Sequence, residues 1–425
     1  MGLTVAAAAA ATLLLRPRGG LIEPAVVDPT AYFSTAELER AADFRGLQRL
    51  IGLGSLAVSA GTLAILALRP PRRIEVLLER AGARPILGAA AVAAGLSLVL
   101  VVAGLPLSAW GHERAVGVGL STQSIAQWLG DVAKSAGIGA LFSAVGGAVA
   151  VALIRRFPAR WWIPGAGVVV AFAVLTLYLS PVVIDPLFNR FEALPEGQLR
   201  SEVLDLADRA GVEVGEVYEI DASRRTTAIN AYVGGLGQTK RVVLYDNLIE
   251  DFSPAQVRSV VAHELAHVKY SDVPKGILWV VIVAPAGLLA IQRLTEMISF
   301  GARPMRWSGA RPITDRAALL PDRAARLSLS TPSVGPALLP ALALSVGLVS
   351  FALTAAGNAL SRPVEARADA FALELTRDPE AFIELERGLA LRNVADPDPP
   401  AFLHTLFGTH PTTVERIGFG EAFER

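Results

Sequence analysis

Five stretches of the chain carry almost no charge over about 20 residues: Leu47 to Leu68, Ile86 to Leu107, Gly137 to Ile154, Ile163 to Ile184 and Ile277 to Leu294. A sixth runs from Val334 to Leu360. No other feature limits the fold as strongly. A helix needs roughly 20 mostly apolar residues to cross a bilayer, and helices and closed barrels alone satisfy every backbone polar group there. Composition agrees, with 52% hydrophobic and 18% charged residues and a mean hydropathy of +0.47, the balance of a multi-span membrane protein. Residues 3 to 15, LTVAAAAAATLLL, are short for a span and have Arg16 and Arg18 behind the apolar run. A cleavable signal peptide carries its charges in front, so this segment reads as a first anchor and brings the expected count to about seven spans.

The 39 basic and 39 acidic residues cancel, which gives no support to a nucleic-acid or polyanionic partner. The chain has no cysteine. Any metal must therefore be held by imidazole and carboxylate. Alanine is abundant and the basic residues are nearly all arginine, the coding style of a GC-rich, bacterial genome.

The spans divide the chain into an N-terminal membrane region, residues 1–185, and a soluble-looking stretch, 186–276. Two further spans with an intervening loop follow over 277–360, and a charged C-terminal piece covers 361–425. Within the second part, SEVLDLADRAGVEVGEVYEID reads as an amphipathic helix, a glycine turn and a short strand. TTAINAYVGGLGQTKRVVLYDNLI gives two β-rich runs around a glycine-rich turn, a hairpin. The arginine- and proline-bearing segment from Arg303 to Ser333 reads as a loop.

The chemistry lies in FSPAQVRSVVAHELAHVKYSD, residues 252–272. Ser253 with Gln256 forms a capping box and Pro254 falls at the first helical position, so a helix starts here. His263 and His267 then share one helical face with Glu264 beside them. This is H-E-x-x-H, in which two imidazoles bind one zinc ion and the glutamate serves as general base. A catalytic zinc takes a third protein ligand and keeps one position open. The metzincin continuation is excluded, because Tyr270 and Val273 stand where Gly and His are required. SRPVEARADAFALE offers Glu365 as that ligand and Asp369, four residues on, as acceptor for a ligating histidine's free N–H. The competing interpretation is a solvated stretch in which Arg362 and Arg367 pair with these acids.

These residues resemble the M48 metallopeptidases of the Ste24 type, similar to CAAX prenyl protease I. The resemblance rests on SRRTTAINAYVGGLGQTKRVVLYDNLI, HELAH, SRPVEARADAFA and GTHPTTVERI in that order, with FSTAELERAADF and GLSTQ in the N-terminal half. It implies a mainly α polytopic membrane protein with about seven helices around a water-filled chamber. A gluzincin-like zinc peptidase domain with a small β-sheet accompanies them. His263, His267 and Glu365 match the family's ligands for one zinc ion, Glu264 its catalytic acid/base and Asp369 its orienting acid. Asn230 falls in a strand of the kind that pairs with an extended substrate, and His410 and Arg416 match positions that polarise the scissile carbonyl or stabilise the oxyanion. His112 and His404 have no motif around them and read as structural.

The expected activity is zinc-dependent endopeptidase action on membrane-associated or C-terminal peptides, lipidated or not, by a monomer in the bilayer. Runner-up readings are a non-hydrolytic scaffold or carrier that keeps a structural zinc, and a transporter. Glu264 speaks against the first, since a structural zinc needs no general base. The near absence of ionisable residues in the apolar cores between Leu47 and Leu107 speaks against the second. Arg16 and Arg18, with the family, place the zinc domain in the cytoplasm. Arg69, Arg72, Arg73, Arg80, Arg84, Arg155, Arg156 and Arg160, in the second and fourth loops, argue for the opposite side.

Overall fold

The computed structural model describes residues 1–235, 240–300 and 335–425. The tip of the glycine-rich turn and the expected loop from Arg303 to Ser333 lie outside the described residues. In chain order the helices begin with α1 (Gly2–Leu15), α2 (Thr35–Leu68), α3 (Arg72–Ala81), α4 (Pro85–Gly117), α5 (Ile125–Arg156) and α6 (Trp162–Leu179). After them come α7 (Gln198–Ala210), α8 (Asp246–Asp251), α9 (Pro254–Lys269) and α10 (Asp272–Phe300). The C-terminal part holds α11 (Leu339–Thr376), α12 (Pro379–Arg392), α13 (Ala401–Phe407) and α14 (Thr413–Glu424).

Among the described residues six helical segments are long and apolar enough to span a membrane, in α2, α4, α5, α6, α10 and α11. The shorter apolar helix α1, about 21 Å long at 1.5 Å per residue, falls short of a bilayer core. It packs between α10 and α11, where Thr4 Oγ1 donates to the Ala286 carbonyl at 2.9 Å and Thr12 Oγ1 to that of Ala356 at 3.1 Å. Only 0 to 17% of the apolar windows of α2, α4, α5 and α6 is buried, against 33% for α10 and α11. The uncovered apolar faces of these helices are what a lipid-facing surface requires.

Several starts are fixed locally. Capping boxes open α2 (Ser34, Glu37), α5 (Ser124, Gln127), α9 (Ser253, Gln256) and α14 (Thr412, Glu415), each satisfying backbone N–H groups that a helix leaves unpaired. FSTAELERAADF is thus the cap of α2. GLSTQ is the turn between α4 and α5, and it docks on the peptidase part: Ser121 bridges Thr226, and Thr122 Oγ1 donates to the Ser223 carbonyl at 2.8 Å.

The amphipathic helix α7 ends at Gly211, whose φ of 71° is the left-handed conformation that glycine adopts without strain. With β1 (Phe191–Ala193) before that helix and β2 (Glu216–Ile220), β3 (Ala231–Gly234) and β4 (Arg241–Tyr245) after it, the chain builds a four-stranded sheet in the order β1-β2-β4-β3. The expected hairpin is the antiparallel pair β3–β4, with Ala231 opposite Leu244. It leaves β3 as an edge strand alongside α9. Val217, Leu244, Val261, Leu265 and Leu373 share one core that ties sheet, α9 and α11 together.

Two junctions decide where the site residues fall. The last span and the helix of SRPVEARADAFALE are one uninterrupted α11, 38 residues through Pro363, so Glu365 rides on the same rod that crosses the membrane. Between α9 and α10 the chain turns at Tyr270 and Ser271. Ser271 holds φ at 54°, a left-handed geometry uncommon for a residue with a Cβ.

Candidate metal centre

His263, Glu264 and His267 project from α9 toward Glu365 on α11. The Nε2 atoms of the two histidines lie 3.3 Å apart, and Glu365 Oε2 is 3.1 Å from His263 Nε2 and 3.5 Å from His267 Nε2. Ligands at about 2.1 Å from a tetrahedral zinc stand roughly 3.4 Å from one another. Two imidazoles and a carboxylate at this spacing therefore fit zinc, and His263, His267 and Glu365 form a group able to hold a metal ion. Glu264 remains partly exposed beside them. Burial pushes its carboxyl above the usual carboxylate range, the direction that suits a general base near neutral pH.

Each imidazole is held from behind by an acid, and each acid by an arginine. His263 Nδ1 donates to Asp369 Oδ1 at 2.8 Å, and Arg416 grips both oxygens of Asp369, at 2.6 and 2.9 Å. His267 Nδ1 donates to Asp272 Oδ2 at 3.1 Å, while Arg367 reaches Asp272 Oδ1 at 2.5 Å and lies over the Tyr270 ring, 4.1 Å from its centre. Donation from Nδ1 fixes the tautomer and leaves Nε2 free for metal. Burial pulls His263 down, but Asp369 and Glu365 outweigh it and raise it to about 10. His267 is likewise lowered by burial and, through Asp272 and Glu365, raised to about 9.

These contacts are at odds with a solvated acid pair. Asp369 is wholly buried and Glu365 nearly so. Arg367 bonds Asp272, and Arg362 donates to the carbonyls of His404, Thr405 and Gly408. Neither arginine is spent on the acids of its own helix.

His410 comes to the same place, its side chain half exposed and its Nε2 3.2 Å from Glu365 Oε2. Its loop is pinned by Arg362, by Asn358 Nδ2 on the Leu406 carbonyl at 2.7 Å, and by His404 Nε2 on the His410 carbonyl at 2.8 Å. His404 thus braces that loop, while His112 stacks on Trp128 with ring centres 5.0 Å apart. Arg416 lies behind the metal group, its Nε and both terminal nitrogens spent on Asp369 and on Glu386, whose Oε2 is 2.7 Å away. Burial lowers Arg416, and the two carboxylates more than reverse this. Asn230 is exposed at the start of the β3 edge, its Oδ1 accepting from the Ala231 N–H at 2.9 Å.

Sequence reasoning missed Asp272, Arg367 as its clamp, and Glu386. The signal for Asp272 was its place five residues after His267. That spacing puts it off the ligand face of a continuous helix, and only the left-handed turn at Ser271 brings it back.

A helical membrane fold with this zincin geometry defines a membrane metalloprotease. The comparisons with known proteins agree. The description Peptidase family M48 matches residues 193–420, and CAAX prenyl protease N-terminal, five membrane helices, matches 34–190. An uncharacterized metalloprotease of Bacillus subtilis, YhfN, is 32% identical over 329 residues, 77% of this chain and 72% of that protein. CAAX prenyl protease 1 of Saccharomyces cerevisiae is 34% identical over 183 residues, 40% of this chain and 38% of that one. The crystal structure of S. mikatae Ste24p superposes with a TM-score of 0.74 at 18% identity, covering 100% of this chain and 96% of that one. The chain belongs to peptidase family M48 and is a Ste24-type integral-membrane metallopeptidase.

Proposed function

We propose that this protein is a zinc-dependent endopeptidase that cleaves membrane-delivered peptides in extended form, C-terminal processing of the CAAX type being the substrate class to test first. The observation that carries this is the convergence of three side chains from two distant parts of the chain, His263 and His267 with Glu365, at 3.1 to 3.5 Å. They would hold one zinc ion, which when bound polarises the scissile carbonyl and acidifies water. Glu264 accepts a proton from the attacking water as its oxygen bonds to the carbonyl carbon. It then delivers that proton to the amide nitrogen as the C–N bond breaks. His410 would donate to the carbonyl oxygen as negative charge grows there. Arg416 acts through Asp369 and not on substrate, since its nitrogens are occupied. The β3 edge near Asn230 offers backbone groups for an added peptide strand.

The peptidase unit would be assembled from residues 186–276 and 361–425, with the membrane pieces 1–185 and 277–360 around it. It would face the cytoplasm, as a single chain. A cysteine at the exposed Gln198, in a chain without others, should escape an impermeant thiol reagent in intact cells and react after permeabilisation. Reaction in intact cells would turn the molecule over, leaving the arginine-rich loops at the far end on the cytoplasmic side.

Glu264→Gln should lower kcat on a membrane-associated peptide by about 10² or more while zinc stays bound. Paired substrates with and without a lipid group read the dependence on lipidation. Near-normal turnover by the zinc-loaded variant would remove Glu264 from the chemistry, whereas no turnover by the zinc-loaded parent would return the scaffold reading.

A further inference from the structure

Glu386 is the one member of the buried network behind the metal group that the proposed chemistry leaves without a task. It sits on α12, 2% exposed, and reaches Arg416 through Oε2 at 2.7 Å. Its other oxygen, Oε1, has no hydrogen-bond partner among the described residues. A buried carboxylate is costly unless paired, and this one shares its arginine with Asp369, which is wholly buried as well. The fold brings the partners close deliberately. α12 and α14 pack where Gly420 lies against Ile383; a Cβ at Gly420 would come within 2.5 Å of the Ile383 side chain. That approach lets Arg416, on α14, span from α12 to α11.

We propose that Glu386 is a positioning residue for the metal centre: by holding one terminal nitrogen of Arg416 it fixes the fork that grips Asp369, and through Asp369 it sets the orientation and basicity of His263. The line runs Glu386, Arg416, Asp369, His263, each link 2.6 to 2.9 Å. Two consequences follow from its geometry. With one nitrogen tied to Glu386, the guanidinium cannot swing away from Asp369. With its charge divided between two carboxylates, Arg416 neutralises Asp369 only in part, so Asp369 keeps the negative potential that makes His263 a better ligand. Outer partners of this kind change metal affinity by roughly 10- to 100-fold when removed. This inference rests on His263 being a metal ligand.

The test compares Glu386→Gln and Glu386→Ala with the parent protein in detergent. The probes are zinc affinity by chelator competition, kcat and KM on one peptide at saturating zinc, and the thermal midpoint. Glu386→Gln should weaken zinc binding by about 3- to 10-fold and Glu386→Ala by about 10- to 100-fold. In both, kcat should fall and KM should stay unchanged. In an Asp369→Asn background, Glu386→Gln should add little, because its effect passes through Asp369. A role in folding alone would lower the thermal midpoint while leaving zinc affinity and kcat of the folded protein at parental values. That result, or full additivity with Asp369→Asn, overturns the proposal. Should the alanine variant not fold, the near-isosteric glutamine variant still decides. Zinc content of His263→Ala reports on the underlying reading separately: retained zinc there rejects the ligand assignment whatever Glu386 does.

Discussion

At the scale of single residues, each imidazole of the candidate metal group already has its second nitrogen committed to an acid. Asp369 was legible in the sequence, being four residues from Glu365 on one helix, a spacing that any α-helix converts into a shared face. Asp272 was not, since its role depends on the backbone of Ser271. The two acids support their imidazoles in the same way, Asp272 being the more exposed of the pair. Asp272→Ala should weaken zinc affinity by about 10- to 100-fold and leave activity recoverable at excess zinc. It also leaves Arg367 without its carboxylate, a buried cation unpaired, so a lower thermal midpoint should accompany the loss. Unchanged affinity in chelator competition would mean that His267 needs no acid behind it. Arg416 teaches a related point: VERI suggested a position near the metal group, but which carboxylate its guanidinium faces depends on how α14 packs on α11 and α12, and helix spacing carries none of that.

Among elements, the spans were readable because a bilayer demands length and apolarity together, and both are written locally. All six long runs became helices, and two of them, α2 and α5, start with a capping box. What composition could not give was pairing. α4 and α5 pack closely where Gly147 meets Ala89 and Ala93; a Cβ on Gly147 would stand 2.5 Å from the Ala93 Cβ and 3.0 Å from the Ala89 carbonyl oxygen. Without a hydrophobic drive between helices in lipid, small residues that admit close backbone approach hold such pairs together. Gly147→Leu should thus push the two helices apart and cost about 1 to 3 kcal/mol, read as a lower thermal midpoint in detergent. Zinc affinity should stay at the parental level, because the atoms nearest a Cβ at Gly147 belong to Ala89 and Ala93 of α4 and not to α9 or to the Glu365 turn of α11. A midpoint equal to the parent's would show that this contact is not a packing constraint.

For the whole molecule, the fold joins pieces of sequence that have no local reason to meet. Glu365 is 102 residues from His263, across two membrane spans. It arrives only because α11 continues through Pro363 without a break and delivers the carboxylate from the end of the rod. HELAH alone announced the chemistry; the third ligand could be matched by resemblance, while its delivery by an unbroken span was invisible, since Pro363 after a serine and an arginine reads as a stop. The GLSTQ turn docks on the peptidase part, and the N-terminal segment, whose Ala25 N–H donates to the Gly418 carbonyl at 2.9 Å, holds α14. The central claim is therefore that metal binding is a property of this long-range assembly and not of the H-E-x-x-H helix alone. Metal analysis of purified Glu365→Ala tests it most directly. The account predicts that this variant, folded and of parental thermal behaviour in the membrane part, loses its zinc on dialysis and its activity with it. One equivalent of tightly held zinc in Glu365→Ala would contradict it.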